Sequence, residues 1–144
     1  MPQYDYYLLL DNSHKHCKNS NSNSQNYIDF GVTTPSSGYN PALTYVKAGK
    51  HLGVHIVVTQ AYTGLNSGMN VWVQNGASST GGSNLVARFL SRAKLNVAGN
   101  HFFLPIPPGT LLEFVKLNCH RVGATNASAG KLTTWLGPDA DGAE

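Results

Sequence analysis

The residues best suited to chemistry sit near the start of the chain, in His14-Lys15-His16-Cys17. In an extended segment His14 and His16 share a face, because side chains alternate with a period of two. Imidazoles and thiols are good zinc ligands, but a structural zinc site takes four of them, commonly as two separated pairs. The other pair on offer is Cys119-His120, and no spacing pattern links it to the first. Neighbours in a strand point to opposite faces, so Cys119 and His120 do not form a nucleophile–base dyad with each other. His51 and His55 share a strand face but stand roughly 13 Å apart, too far to act on one atom.

Carboxylates are sparse. They are Asp5, Asp11, Asp29, Glu113, Asp139, Asp141 and Glu144, and three of them lie in the tail. A glycosidase pair would need Asp29 with Glu113, and nothing in the sequence supports that pairing. No phosphate-cradling G-x-x-x-x-G-K loop occurs, because Gly76–Gly82 lacks the Lys and the helix that should follow. Asn126-Ala127-Ser128 matches a glycosylation sequon, which matters only on a secretory route. The inventory predicts no catalytic residue, no metal, no cofactor and no small-molecule substrate. It points to a binding or structural protein.

The elements that would carry these residues are β-strands. The chain has 144 residues, which suits one domain able to bury a core without staples. Charged residues make up 12%, about half the usual globular share. Polarity comes instead from Asn, Ser, Thr and Gly, and Glu occurs only at Glu113 and Glu144. The net charge of +3 is mild, and no Lys/Arg stripe suggests nucleic acid. Arg88, Arg92 and Lys94 form the one local basic group. It reads as a solvated strand face or as a contact for an acidic protein surface. No stretch is long and apolar enough to span a membrane. The Leu8–Leu10 run is too short for a secretory leader, so synthesis in the cytosol and two free thiols, Cys17 and Cys119, are expected.

Along the chain, Tyr4, Tyr6, Tyr7 and Leu8–Leu10 read either as a first strand tucked on the core or as an arm that packs on a partner. Asn19–Asn26, NSNSNSQN, reads as a polar linker. These place an arm and linker at 1–26, a β domain at 27–138 and an acidic tail at 139–144. Residues 27–32 suit a short strand, and 34–50 a long loop holding Tyr39 and Tyr45. In His51–Tyr62, Leu52, Val54, Ile56 and Val58 alternate on one face. A Gly64–Gly68 turn leads to a return strand, Met69–Gln74. Residues 85–93 fit a strand or a helix, and the strand is preferred because every neighbour is strand-like. Lys94–Val97 and Asn100–Ile106 read as further strands. Leu111–Arg121 and Lys131–Leu136, joined by a Gly/Asn/Ser-rich link, read as a β-hairpin. About eight antiparallel strands with long loops predict an all-β jelly roll or β-sandwich.

The order of these segments resembles the jelly-roll capsid cement (decoration) proteins of tailed bacteriophages, of the Bordetella-phage type. The likeness runs over about residues 20–139. It rests on Asn26-Tyr27-Ile28-Asp29-Phe30-Gly31, the strand Leu52–Thr59 and Val71-Trp72-Val73-Gln74. It continues through an Ala98-Gly99 turn before Phe102-Phe103-Leu104-Pro105, then Phe114-Val115-Lys116-Leu117, the Gly123 turn and the closing strand to Leu136. The 34–50 loop and His14, His16 and Cys17 stand outside the pattern. The resemblance implies a virion protein on the outer capsid surface, present in the host cytoplasm during assembly. It would bind the major capsid protein and copies of itself as a dimer or trimer. Tyr4, Tyr6, Tyr7, Leu9, Tyr39, Tyr45, Arg88 and Arg92 are the contact candidates, since Tyr offers large contact area at low entropy cost. The alternative is a β-sandwich that binds carbohydrate or a receptor, with Trp72 and Trp135 as the stacking residues.

Overall fold

The computed structural model describes residues 9–18, 21–29, 52–76, 82–106 and 114–138. They form β1 (Leu9–His14), β2 (Ser22–Asn23), β3 (Ile28–Asp29), β4 (Leu52–Thr63), β5 (Gly68–Gly76) and β6 (Ser83–Ser91). A helical turn α1 (Arg92–Leu95), then β7 (His101–Pro105), β8 (Phe114–Val122) and β9 (Ala129–Pro138) follow. Apart from α1, the regular structure of the described residues is all-β, in two antiparallel sheets.

Alternation decides which side each strand buries. Val54, Ile56 and Val58 of β4 are fully buried, as are Val115, Leu117 and Cys119 of β8, while Lys116, Asn118 and His120 are half-exposed. The first sheet has the order β1-β9-β4-β7, and the second β2-β8-β5-β6, with β3 pairing further along β8. One apolar cluster joins them. Leu10, Ile56, Phe102 and Leu132 come from the first sheet, and Met69, Val71, Leu90 and Leu117 from the second. The fold is therefore a sandwich. Each such side chain removed from water stabilises it by roughly 1.5–3 kcal/mol.

The pairing differs from the hairpin expectation. β8 pairs with β5, β2 and β3, whereas β9 pairs with β4 and β1. The link between β8 and β9 thus crosses from one sheet to the other. β4 and β5 likewise face each other across the core and do not pair. Among the described strands, β5 and β6 are the sequence neighbours that do. Alternation specifies the buried face of a strand, not its partner, and two strands facing across a core satisfy it as well as a hairpin does. The two crossing links are fastened together. Ser128 N–H donates to the Thr63 carbonyl (2.8 Å), and Thr125 Oγ1 to Asn66 Oδ1 (3.0 Å).

Within the expected arm and linker, residues 9–18 and 21–26 are described and are tied into the sheets. Leu9 and Leu10 are buried, and β1 is an edge strand on β9. Ser22 and Asn23 pair with Cys119 and Asn118. The Asn/Ser stretch docks through polar bonds where apolar side chains are lacking. Ser24 N–H donates to the Leu117 carbonyl (2.7 Å), Ser24 Oγ accepts from Leu117 N–H (3.0 Å), and Asn21 Oδ1 accepts from Arg121 N–H (3.1 Å). The strand expected over 85–93 is present but ends at Ser91, and Arg92–Leu95 is helical, which corrects both its last two residues and the strand expected from Lys94. Ser91 Oγ caps that turn by accepting from Lys94 N–H, and Leu95 fills the core beneath it. The 34–50 loop and the acidic tail lie outside the described residues.

Gly130 opens β9 at φ +134°, and a Cβ there would overlap the buried Tyr62 ring. Gly99 also has positive φ, +92°, but open space around it. Gly130→Ala is expected to cost about 2–4 kcal/mol through strain and overpacking, and Gly99→Ala about 1 kcal/mol through φ alone. Urea unfolding of the two variants checks this; equal losses would contradict the packing at Gly130.

Candidate functional site

The chemically richest place is a polar centre inside the sandwich. The β1–β9 register slips between Leu9 and Asp11, so Leu9 pairs with Trp135 and Asp11 with the inward-facing Thr134. Such a bulge re-aims a side chain, here a carboxylate into the core. Ser13 (φ 49°) and Cys17 (φ 60°) then take left-handed conformations and turn the chain back. His16 is thereby returned against Asp11, and both are fully buried.

Every exposed edge of this pair is engaged. Asp11 Oδ2 accepts from His16 Nε2 (2.8 Å) and from Thr134 Oγ1 (2.8 Å), and Asp11 Oδ1 accepts from Gln25 N–H (2.8 Å). With Nε2 donating, His16 Nδ1 is free to accept the Ser22 hydroxyl, 2.6 Å away. Ser22 Oγ in turn accepts from Cys17 N–H (3.3 Å). Asp11 and Thr134 belong to the first sheet and Ser22 to the second, so the centre ties the two layers together at one end. Buried polar groups are tolerated only when satisfied in this way.

The order Ser22–His16–Asp11 is that of a nucleophile, base and acid. The one backbone N–H described at Ser22 Oγ, that of Cys17, bonds the hydroxyl itself. The arrangement links β1 to β2 across the two sheets. His14 lies beside it, its ring edge-on to that of His16 with centroids 4.5 Å apart. Burial, and then the neighbouring His16, hold His14 below its ordinary pKa. An open cavity of about 490 Å³ adjoins, lined by His14, Ser22, Asn21 and the lysines Lys15, Lys18 and Lys131.

The thiols are inert. Cys17 and Cys119 are free and buried, as expected. Burial pushes the Cys17 thiol up to about 11, against a lowering by Arg121, and burial carries Cys119 well above its ordinary value. Neither is a thiolate at neutral pH, so neither is a nucleophile.

On the outer face of the first sheet, His55 Nδ1 and His101 Nε2 lie 2.8 Å apart, and Trp135 stacks on His55 at 5.0 Å. On the outer face of the second, Trp72 packs on His120 at 4.2 Å. Phe89 (50% exposed) sits opposite Asn70 on the same face, and Tyr27 (52% exposed) lies edge-on to Phe114.

The contact candidates do not gather into one place. Leu9 is buried within the chain, paired to β9, and is corrected as a contact residue because its side chain is already covered. Arg88 is half-buried, donating to the Phe103 carbonyl (2.9 Å) and lying over the Phe102 ring. Arg92 is exposed at the start of α1. Trp135 is 5% exposed, which removes it as a glycan platform, and Trp72 is half-buried. Tyr4, Tyr6, Tyr7, Tyr39 and Tyr45 lie outside the described residues. Sequence reasoning singled out His14, His16 and Cys17 but missed Asp11 and Ser22. The available signal was Asp11 directly after the apolar Leu8–Leu10, an acidic residue where a strand should be buried.

No family model matches this chain, and no curated protein is similar to it. Fold and centre together define a two-sheet β-sandwich pinned internally by an aspartate–histidine pair.

Removing one partner of a buried pair leaves the other uncompensated, at a cost of about 3–5 kcal/mol. Asp11→Ala and His16→Ala are each expected to lose that much, and the double variant to lose clearly less than their sum. A double-mutant cycle in urea measures this; additive losses would show that the two side chains act independently.

Proposed function

We propose that the chain is a non-enzymatic structural virion protein. It is a jelly-roll capsid cement protein that binds the outer surface of an assembled phage shell, bridges neighbouring major capsid subunits and stabilises the shell against the pressure of packaged DNA. It acts with copies of itself, as a dimer or trimer, and uses no nucleic acid, membrane or small-molecule substrate. The pairings β1 with β9, β2 with β8, β4 with β7 and β5 with β6 support the jelly-roll reading. They are those of one long antiparallel ribbon rolled over on itself, the first strand pairing with the last and so inward.

The observation that carries the reading is the outer face of the second sheet. Phe89, opposite Asn70, and Tyr27, packed on Phe114, stand half-exposed at opposite corners of that face, with Gln74, Lys116 and Asn118 between them. Aromatic anchors within a polar surround are what a protein-binding face needs. A glycan site needs a free indole face instead. Trp135 is buried, and one face of Trp72 is taken by His120, so carbohydrate binding is the weaker reading.

The test is co-sedimentation with assembled phage shells stripped of their surface protein. Binding is expected to saturate at a fixed ratio to major capsid subunits and to raise the melting temperature of the shell. The double variant Tyr27→Ala, Phe89→Ala is expected to keep its own unfolding midpoint and to bind about tenfold more weakly or worse, a loss of ~1.4 kcal/mol. Absence of saturable binding would overturn the cement reading. Unchanged binding by the double variant would overturn the assignment of this face.

A further inference from the structure

We propose that Asp11, His14 and His16 form a site for one divalent transition-metal ion, beside the lysine-lined cavity at the end of the sandwich. Each side chain offers one ligand atom, and the three atoms lie within 4.8 Å of one another. Zinc bonds to nitrogen and carboxylate oxygen are about 2.0–2.2 Å, so ligand atoms around a tetrahedral ion stand roughly 3.3 Å apart. Asp11 Oδ2 and His16 Nε2 are already 2.8 Å apart and need to part only slightly. His14 must close the remaining distance, and its surroundings leave it free to do so. The ring is half-exposed and makes no hydrogen bond among the described residues; its described ring contact is the edge-on one with His16.

The outer contacts are those a metal site requires. A ligating imidazole is normally fixed through its other nitrogen, and a ligating carboxylate through further hydrogen bonds. His16 Nδ1 has Ser22 Oγ, and Asp11 has Gln25 N–H and Thr134 Oγ1. On binding, the His16 ring changes tautomer and loses no proton overall. Nε2 gives up its hydrogen to coordinate the ion, and Nδ1 takes one and donates it to Ser22 Oγ. Ser22 then turns its own O–H toward the cavity that it lines.

Two His and one carboxylate leave a fourth position open, as in sites that hold a water or small anion. Lys15, Lys18 and Lys131, which line the cavity, favour an anion at that position, and the bound anion offsets the positive charge left by a single carboxylate. The inference does not depend on the capsid reading, since a structural ion at this end of the sandwich is compatible with any binding role.

Chelator-treated full-length protein is titrated with ZnCl₂ by calorimetry, and with Co²⁺ by visible absorption. One equivalent is expected to bind saturably, to raise the melting temperature and to give the intense visible bands of four-coordinate Co²⁺. His14→Ala removes a ligand and an edge-on ring contact but leaves the hydrogen bond between Asp11 and His16 in place. It is expected to keep the metal-free melting temperature, to lose about a hundredfold or more in zinc affinity and to lose the thermal shift. Ser22→Ala is expected to weaken zinc about tenfold through the orientation of His16. No saturable binding at one equivalent would overturn the proposal. So would equal affinity in His14→Ala, which would place the ion elsewhere on the chain.

Discussion

The contact between Asp11 and His16 is the constraint on which the rest depends. A carboxylate and an imidazole removed entirely from water are costly unless each remaining lone pair and proton finds a partner. Here those partners come from three directions: Thr134 on β9, the Gln25 backbone and Ser22 on β2. The centre can form only if the β1 bulge, the reversal at 13–17 and the docking of the Asn/Ser stretch all occur together. Polar satisfaction thus does at this end of the sandwich what apolar packing does elsewhere, and it adds a demand for one register.

That demand explains why the ends of the fold are stitched closely. The links that cross between sheets lie side by side, with Ala127 N–H donating to the Cys17 carbonyl and Ser128 N–H to that of Thr63. Burial of Tyr62 against Gly130 belongs to the same region. A scaffold held this rigidly suits the proposed role, in which the outer sheet face must present Phe89 and Tyr27 without loss of order on binding. The proposed metal site draws on the same rigidity, since two of its three ligands are already oriented.

Much of the fold was legible in the sequence because alternation is a strong local signal. Val54, Ile56 and Val58 fall on one face by period alone, and that face is the buried one. Partner choice was not legible, because alternation carries no information about which strand lies alongside; β8 and β9 therefore read as a hairpin. Ser22–Asn26 read as a linker because its stabilising bonds run through short polar side chains and backbone, which leave no hydrophobic pattern. The centre was half-visible. His14 and His16 stood out by type and spacing, but Asp11 is joined to them by a bulge and the left-handed Ser13, which residue spacing does not reveal.

The most direct measurement is native-state hydrogen exchange at the Gln25 amide. Gln25 is an exposed residue in a polar stretch, and its N–H is held by the buried Asp11 carboxylate. If that centre locks the two sheets together, the Gln25 amide exchanges only on global unfolding, at the rate of the β8 and β9 core amides. Exchange at the rate of an open loop, with the β8 and β9 amides protected, would contradict the account.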